Sequence, residues 1–350
     1  MDAIADQVFT DVPQPGEQID DPSLLTVVLD MSPSGWVAIE NQISLNEVMK
    51  CLLVFLNAHL SLNNSNLVAF IASSPRGSKF LWPNPHKDYD ADRSAPPLVN
   101  PGMYRQFRVV DEAVLRELNE CFEQDKANPS EHLHHSTLAG ALSMALTYTN
   151  RILTVDQQIT TTTASAISNS TKTTSGESNA NTSGTLWGST NYRSRILVVS
   201  ANQDDNIRYI PVMNSIFAAQ KMKVPIDVVQ LGTQDQAFLQ QASDATQGVY
   251  LRLHDPQGLI QVLATAYFVE PSLRPLIVLP TNTNVNYRAS CFITGKQVDI
   301  GYVCSVCLCI MSMIPESKQC PACESKFDPE ILAQLSKGPV IARKKRKTEA

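Results

Sequence analysis

Two C-x2-C hooks carry the clearest chemistry in this sequence: Cys304-Ser305-Val306-Cys307 and Cys320-Pro321-Ala322-Cys323, with twelve residues between them. Four thiolates at this spacing can surround a zinc ion tetrahedrally, and each short hook delivers two ligands without a long loop closure. A filled four-thiolate site has no open position for a substrate water, so it supplies folding stability and not catalysis. Cys291 and Cys309 lie nearby and read as buried structural thiols, with a place in a larger ligand set left open. The segment 291–330 contains no histidine to complete a second site.

A second constellation is Asp30-Met31-Ser32-Pro33-Ser34, which comes directly after the apolar run Leu24 to Leu29. An aspartate and two hydroxyls at alternate positions can direct hard oxygen ligands toward Mg2+, and the end of a buried strand is where α/β folds bind ligands. The same residues also suit a simpler role, in which Asp30 and Ser32 stabilise the turn and Ser34 helps to cap the next segment. His132, His134 and His135 beside Glu131 read as surface or capping residues ahead of a helix. No nucleophile, base and oxyanion arrangement can be assembled, and no G-x-x-x-x-G-K-S/T phosphate loop is present. These features argue against an enzyme.

The elements that must position these residues alternate. LLTVVLD (24–30), NLVAFIA (66–72), RILVVSA (195–201), IDVVQLG (226–232) and GVYLRL (248–253) are buried-strand patterns, and KFLWP (79–83) reads as an edge strand. Ser44-Leu45-Asn46-Glu47 is a capping box that opens a long apolar helix. Further helices are expected over 111–123, from Ser136 or Thr137 onward, and over 210–222, 235–243 and 257–268. Strands alternating with helices imply an open parallel sheet covered on both faces. The expected organisation is a flexible N-terminus (1–20), an α/β domain (21–270) carrying a low-complexity insertion (160–191), a connector (271–290), a four-cysteine zinc module (291–330) and a basic tail (331–350). The insertion is rich in Ser, Thr, Asn and Gly, too polar to form a core of its own.

The formal net charge is −6, which gives no global basic footprint for nucleic acid. Segment 291–330 is itself acidic, with three lysines against five acids. Protein contact is therefore the better use for it than DNA contact. The basic run Arg343 to Lys347 reads as a nuclear localisation signal, a solubilising tail or a segment with appreciable DNA affinity. The first fifteen residues lack a secretory pattern, and no run approaches a membrane span. Cysteine clustering fits a reducing compartment.

On its D-x-S-x-S loop, the α/β region resembles the von Willebrand A family. That resemblance implies a metal-ion-dependent adhesion site holding magnesium, with Asp30, Ser32 and Ser34 as ligands and Thr137 from a later loop. The sequence departs from the family where a further aspartate is expected. Ala201 and Asn202 stand near that place, and the nearest acids are Asp204 and Asp205. The ordered segments LLTVVLD, STLAGALSMAL, RILVVSA, NYRASCF, GYVCSVCLCI and CPACESKF resemble the smaller von Willebrand A subunits of the transcription and DNA-repair factor TFIIH.

The resemblance implies an α/β, von Willebrand A-like (Rossmann-like), mostly parallel sheet with helices on both faces, plus the small four-cysteine zinc module. It further implies a non-enzymatic nuclear scaffold supporting transcription initiation and nucleotide excision repair. The expected partners are the zinc-containing C-terminal region of the larger A-domain subunit and, through the zinc module, other TFIIH core subunits, with DNA contact indirect and no membrane. The competing readings are a nucleic-acid-binding zinc protein and a RING-like ubiquitin ligase. The latter normally needs two zinc sites.

Overall fold

The computed structural model describes residues 22–89, 98–127, 136–170, 192–202, 209–279 and 285–335, apart from isolated positions in three of these runs. The His132 to His135 cluster, Asp204, Asp205 and the basic tail lie outside them. The chain divides into two compact units, Met1–Asn286 and Tyr287–Ala350.

The first unit is built on a six-stranded sheet. Its central strand β1 (Ser23–Asp30) is buried along its whole length. It pairs in parallel with β2 (Leu67–Ser74) on one side and β4 (Arg193–Ser200) on the other. Beyond β4 lie β5 (Ile226–Gln230) and β6 (Tyr250–Arg252), both parallel. The edge strand β3 (Gly77–Trp82) turns back antiparallel to β2, giving the order β3-β2-β1-β4-β5-β6. Continuous apolar runs become central strands because both faces of a parallel sheet are covered.

The alternation of side chains divides the core in two. Val27, Leu29, Leu197 and Val199 face one cluster with α1 (Pro33–Ile39), α2 (Leu45–Leu62), α3 (Arg105–Ala127) and α7 (Leu259–Val262). Val28, Ile196 and Val198 face the other, with α4 (Leu138–Ser170), α5 (Tyr209–Met222) and α6 (Ala237–Ala245). Helix α2 begins at the expected capping box: the Glu47 carboxylate accepts from Ser44 N at 3.0 Å, and Ser44 Oγ accepts from Glu47 N at 3.3 Å. By length and composition α2 could cross a membrane. Here Val48, Leu52, Phe55 and Leu56 bury its inner face in the core.

Helix α1 is not among the expected elements, α3 runs beyond the expected 111–123 at both ends, and two further elements differ more. Helix α4 runs on to Ser170, into the segment expected to be a low-complexity insertion. Once its packed first turns are nucleated, each further residue adds a hydrogen bond at little cost. The helix expected over 257–268 is instead a 3-10 turn (Pro256–Gly258), the short α7 and a π turn (Leu263–Tyr267). Asp255 caps its start, accepting from Gln257 N at 3.0 Å.

The segment leaving the sheet is strapped down by two arginines. Buried Arg195 of β4 donates to the carbonyls of Tyr267 (2.6 Å) and Val269 (3.2 Å). Arg274 forms a two-point ion pair with Asp227 of β5.

The second unit contains two small hairpins, β7 (Ala289–Ser290) with β8 (Gln297–Val298) and β9 (Tyr302–Val303) with β10 (Ile310–Met311). A short helix, α8 (Pro329–Leu335), comes after them. The core of this unit is small: Cys304, Cys309, Met311 and Cys320, with Cys323 and Phe327 packed against them.

Candidate functional site

The four-cysteine centre is assembled by two backbone loops of one design. In the first, Cys304 N donates to Cys309 O, and Leu308 N donates back to Cys304 O, both at 3.0 Å. In the second, Cys320 N donates to Ser325 O and Glu324 N to Cys320 O, both at 2.9 Å. The turn residues Leu308 and Glu324 both take positive φ, 59° and 58°. This folds each hook so that its two thiols point the same way. The sulfur atoms of Cys304, Cys307, Cys320 and Cys323 lie within 4.8 Å of one another. Across the hooks, Cys304 and Cys323 are 3.8 Å apart and Cys307 and Cys320 are 3.5 Å apart.

Such a cluster can coordinate a metal ion, and among the described residues it is the one group of His, Cys, Asp and Glu side chains so arranged. Backbone N–H groups of Cys307 and Val306, with the Ser325 hydroxyl, bring the Cys304 thiol down to about 6. This favours the thiolate form a metal requires at Cys304, whereas at Cys307 the Cys309 N–H is outweighed by burial and the neighbouring sulfurs, which push that thiol up to about 12.

A third loop repeats the design with a single cysteine, which the spacing of cysteines in the sequence did not reveal. Cys291 N donates to Lys296 O at 2.8 Å, Gly295 N donates to Cys291 O at 2.9 Å, and Gly295 has φ 71°. Thr294 stands where the hooks have their second cysteine. Ser312 donates to Cys291 Sγ from both N and Oγ at 3.2 Å, and Thr294 N does so at 3.5 Å. Burial works to raise the Cys291 thiol, but these donors prevail and lower it to about 6. For Cys309 burial dominates and pushes the thiol up to about 11. The signal in sequence was Cys291-x-x-Thr294-Gly295, a hook with its second sulfur replaced.

The Asp30 loop lies at the carboxyl ends of β1 and β4. The chain leaves β1 toward β2 and leaves β4 toward β5, in opposite directions, so a crevice opens between them. Asp30 is fully buried there. Its Oδ1 accepts from Ser32 N (3.2 Å) and Ser32 Oγ (2.8 Å), and its Oδ2 accepts from Ser200 Oγ (3.1 Å) and Asn202 Nδ2 (2.6 Å).

Asn202 Oδ1 accepts from Ser34 Oγ at 3.1 Å and Gly35 N at 3.0 Å. Gln230 Nε2 holds the Asn202 carbonyl at 2.8 Å, and Trp36 Nε1 holds the Asp30 carbonyl at 2.7 Å. Thr137 is turned to β2: its hydroxyl donates to Ser74 O at 2.6 Å and lies 2.8 Å from Ser73 Oγ. Burial pushes the Asp30 carboxyl up, against the lowering effect of Asn202, Ser32 and Ser200. The loop bearing Asn202 is wedged by two glycines. A Cβ on Gly35 would lie 2.5 Å from Ala201 C, and one on Gly232 would lie 2.6 Å from Ala201 O.

The structure therefore brings Asp30, Ser32 and Ser34 into one network with Ser200, Asn202 and Gln230. The first three were legible from their spacing. In sequence Asn202 only stands near the place of an expected aspartate, and Ser200 and Gln230 carry no local signal.

Residues 22–324 match the family described as Transcription factor Tfb4. The chain belongs to that family. The Tfb4 match begins at β1 and closes just past Cys323, so it takes in both units. Among relatives, the general transcription and DNA repair factor IIH subunit TFB4 of Debaryomyces hansenii is 61% identical, over 100% of this chain and 97% of its own length. The subunit of the same name in Saccharomyces cerevisiae is 41% identical over 99% and 98%. Among solved structures, the crystal structure of the TFIIH p34 N-terminal domain matches with a TM-score of 0.50 and 27% identity, covering 70% of this chain and 97% of that one.

Proposed function

We propose that this Tfb4-family chain is a non-enzymatic scaffold subunit of the TFIIH core, acting in the nucleus in transcription initiation and nucleotide excision repair. The observation that carries the reading is the 61% identity to a TFIIH subunit along the whole chain. The chain's own chemistry agrees. Among the described residues, the four-thiol cluster is arranged to hold a metal and the Asp30 carboxylate is enclosed by donors, so neither presents a free group to a substrate.

The metal of the four-cysteine centre is zinc. At a Zn–S distance of about 2.3 Å, a tetrahedral set has sulfurs about 3.8 Å apart, which the 3.8 and 3.5 Å separations across the hooks approach. Zinc would be held by Cys304, Cys307, Cys320 and Cys323, and when bound it supplies a cross-link between the hooks. The core around it is too small to fold unaided. The A-like unit pairs with the larger A-domain subunit through that partner's zinc-containing C-terminal region. The zinc unit docks neighbouring core subunits, and its exposed Ile300, Val303, Val306 and Leu308 supply apolar contact area. DNA contact is indirect.

Coexpression of the core subunits with wild type or a C304S/C307S chain tests this division of labour. The variant is expected to retain the larger A-domain subunit and release the other core subunits. Loss of the larger subunit with retention of the others would contradict it.

A further inference from the structure

Von Willebrand A-like folds place Mg2+ where Asp30, Ser32 and Ser34 converge, and the residues here do not fit that ion. An ionised carboxylate offers about four acceptor directions, and Asp30 has four donors on its two oxygens: Ser32 N, Ser32 Oγ, Ser200 Oγ and Asn202 Nδ2. The orientation of the Asn202 amide is fixed independently. Gly35 N can only donate, so the Asn202 atom it meets at 3.0 Å is the carbonyl oxygen, and the NH2 group must face Asp30. Mg2+ takes oxygen ligands in near-octahedral geometry. At this crevice it would meet an N–H where it needs a lone pair.

We propose that Asn202 takes the cation's place: its side chain ties Asp30 to the Ser34–Gly35 turn, so the crevice binds no divalent ion and a partner docking there does so without a bridging metal. Asn202 carries no charge and meets Asp30 with its amide dipole alone. Admitting Mg2+ would require the Asn202 side chain to break its bonds to Asp30, Ser34 and Gly35 together. The backbone cannot ease that movement, because Ala201 is gripped between Gly35 and Gly232 and Gln230 holds the Asn202 carbonyl. This inference rests on the crevice alone and is independent of which assembly the chain joins.

The test uses the intact zinc-loaded chain without chelator. Its melting temperature is measured with MgCl2 and with NaCl of equal ionic strength, and bound Mg2+ is read by native mass spectrometry. Wild type is expected to show the same melting temperature in both salts and no bound Mg2+. N202D sets a second carboxylate against Asp30 and is expected to melt lower than wild type in NaCl. It should recover by at least about 3 °C in MgCl2. A Mg2+-dependent rise or a bound Mg2+ in wild type overturns the proposal. So does a folded N202D that ignores Mg2+. Should N202D fail to fold, the wild-type measurement decides alone.

Discussion

The Arg274 guanidinium meets the Asp227 carboxylate at two points, 2.8 Å (Nη1 to Oδ1) and 2.5 Å (Nη2 to Oδ2), with the carboxylate buried and the arginine mostly so. Asp227 Oδ1 also accepts from Val249 N at 2.9 Å. The pair therefore binds three stretches of chain: β5, the approach to β6 and the segment that leaves the sheet. A buried carboxylate stripped of its cation is costly, about 3–5 kcal/mol when one partner is removed. R274A is expected to lower the unfolding free energy by that order, measured by urea denaturation. An effect below about 1 kcal/mol would mean that the pair behaves as an exposed one.

Gly35 is required by contact, not by conformation. A methyl group there would lie 2.5 Å from Ala201 C and 2.7 Å from Asn202 N, and backbone cannot rotate aside as a side chain can. G35A is expected to destabilise the A-like unit by about 1–3 kcal/mol. Thermal melting checks this, and hydrogen exchange should show the loosening centred on residues 30–36 and 200–202.

Asp111 gives the A-like unit a pH dependence. Burial raises its carboxyl to about 6, only partly offset by the Asn57 amide, which donates to both oxygens at 3.1 and 3.0 Å. A raised folded pKa means that the proton is held more tightly in the folded state. The contribution is thus fully present below the unfolded value, near 4, and lost as pH rises through about 6. D111N is expected to flatten this dependence and to be more stable than wild type at pH 8 by on the order of 1–2 kcal/mol. Denaturation curves at pH 5 and pH 8 check it, and an equal difference between the two proteins at both values would refute it.

The third cysteine loop yields a contrast. Cys291 is satisfied by Ser312 and Thr294 and lies outside the four-sulfur group. C291S is expected to keep the metal content of wild type, whereas C320S should lose it and open the amides of 287–335 to exchange. Metal analysis of the two purified variants separates these outcomes.

Much of this architecture could be read from the chain itself. Runs such as LLTVVLD announce central strands because burial on both faces removes the polar alternation, and Ser44 and Glu47 satisfy each other within a single turn. The cysteine hooks are legible for the same reason, since each pair of thiols is local. Asn202 was obscure because its meaning depends on Asp30, 172 residues earlier. Only the β1–β4 pairing brings the two together. The length of α4 was missed because its distal part has no apolar stripe, and the helix that replaces a continuous 257–268 element breaks into a π turn without a Gly or Pro inside that turn to mark it.

The most direct test of the scaffold assignment is native mass spectrometry of this chain coexpressed with the larger A-domain TFIIH subunit, combined with gas-phase release of each subunit. The account expects a 1:1 complex from which this chain leaves carrying one zinc ion, and a C304S/C307S chain that forms the same complex without its zinc. A wild-type chain that carries zinc yet remains monomeric beside the folded partner would contradict the pairing.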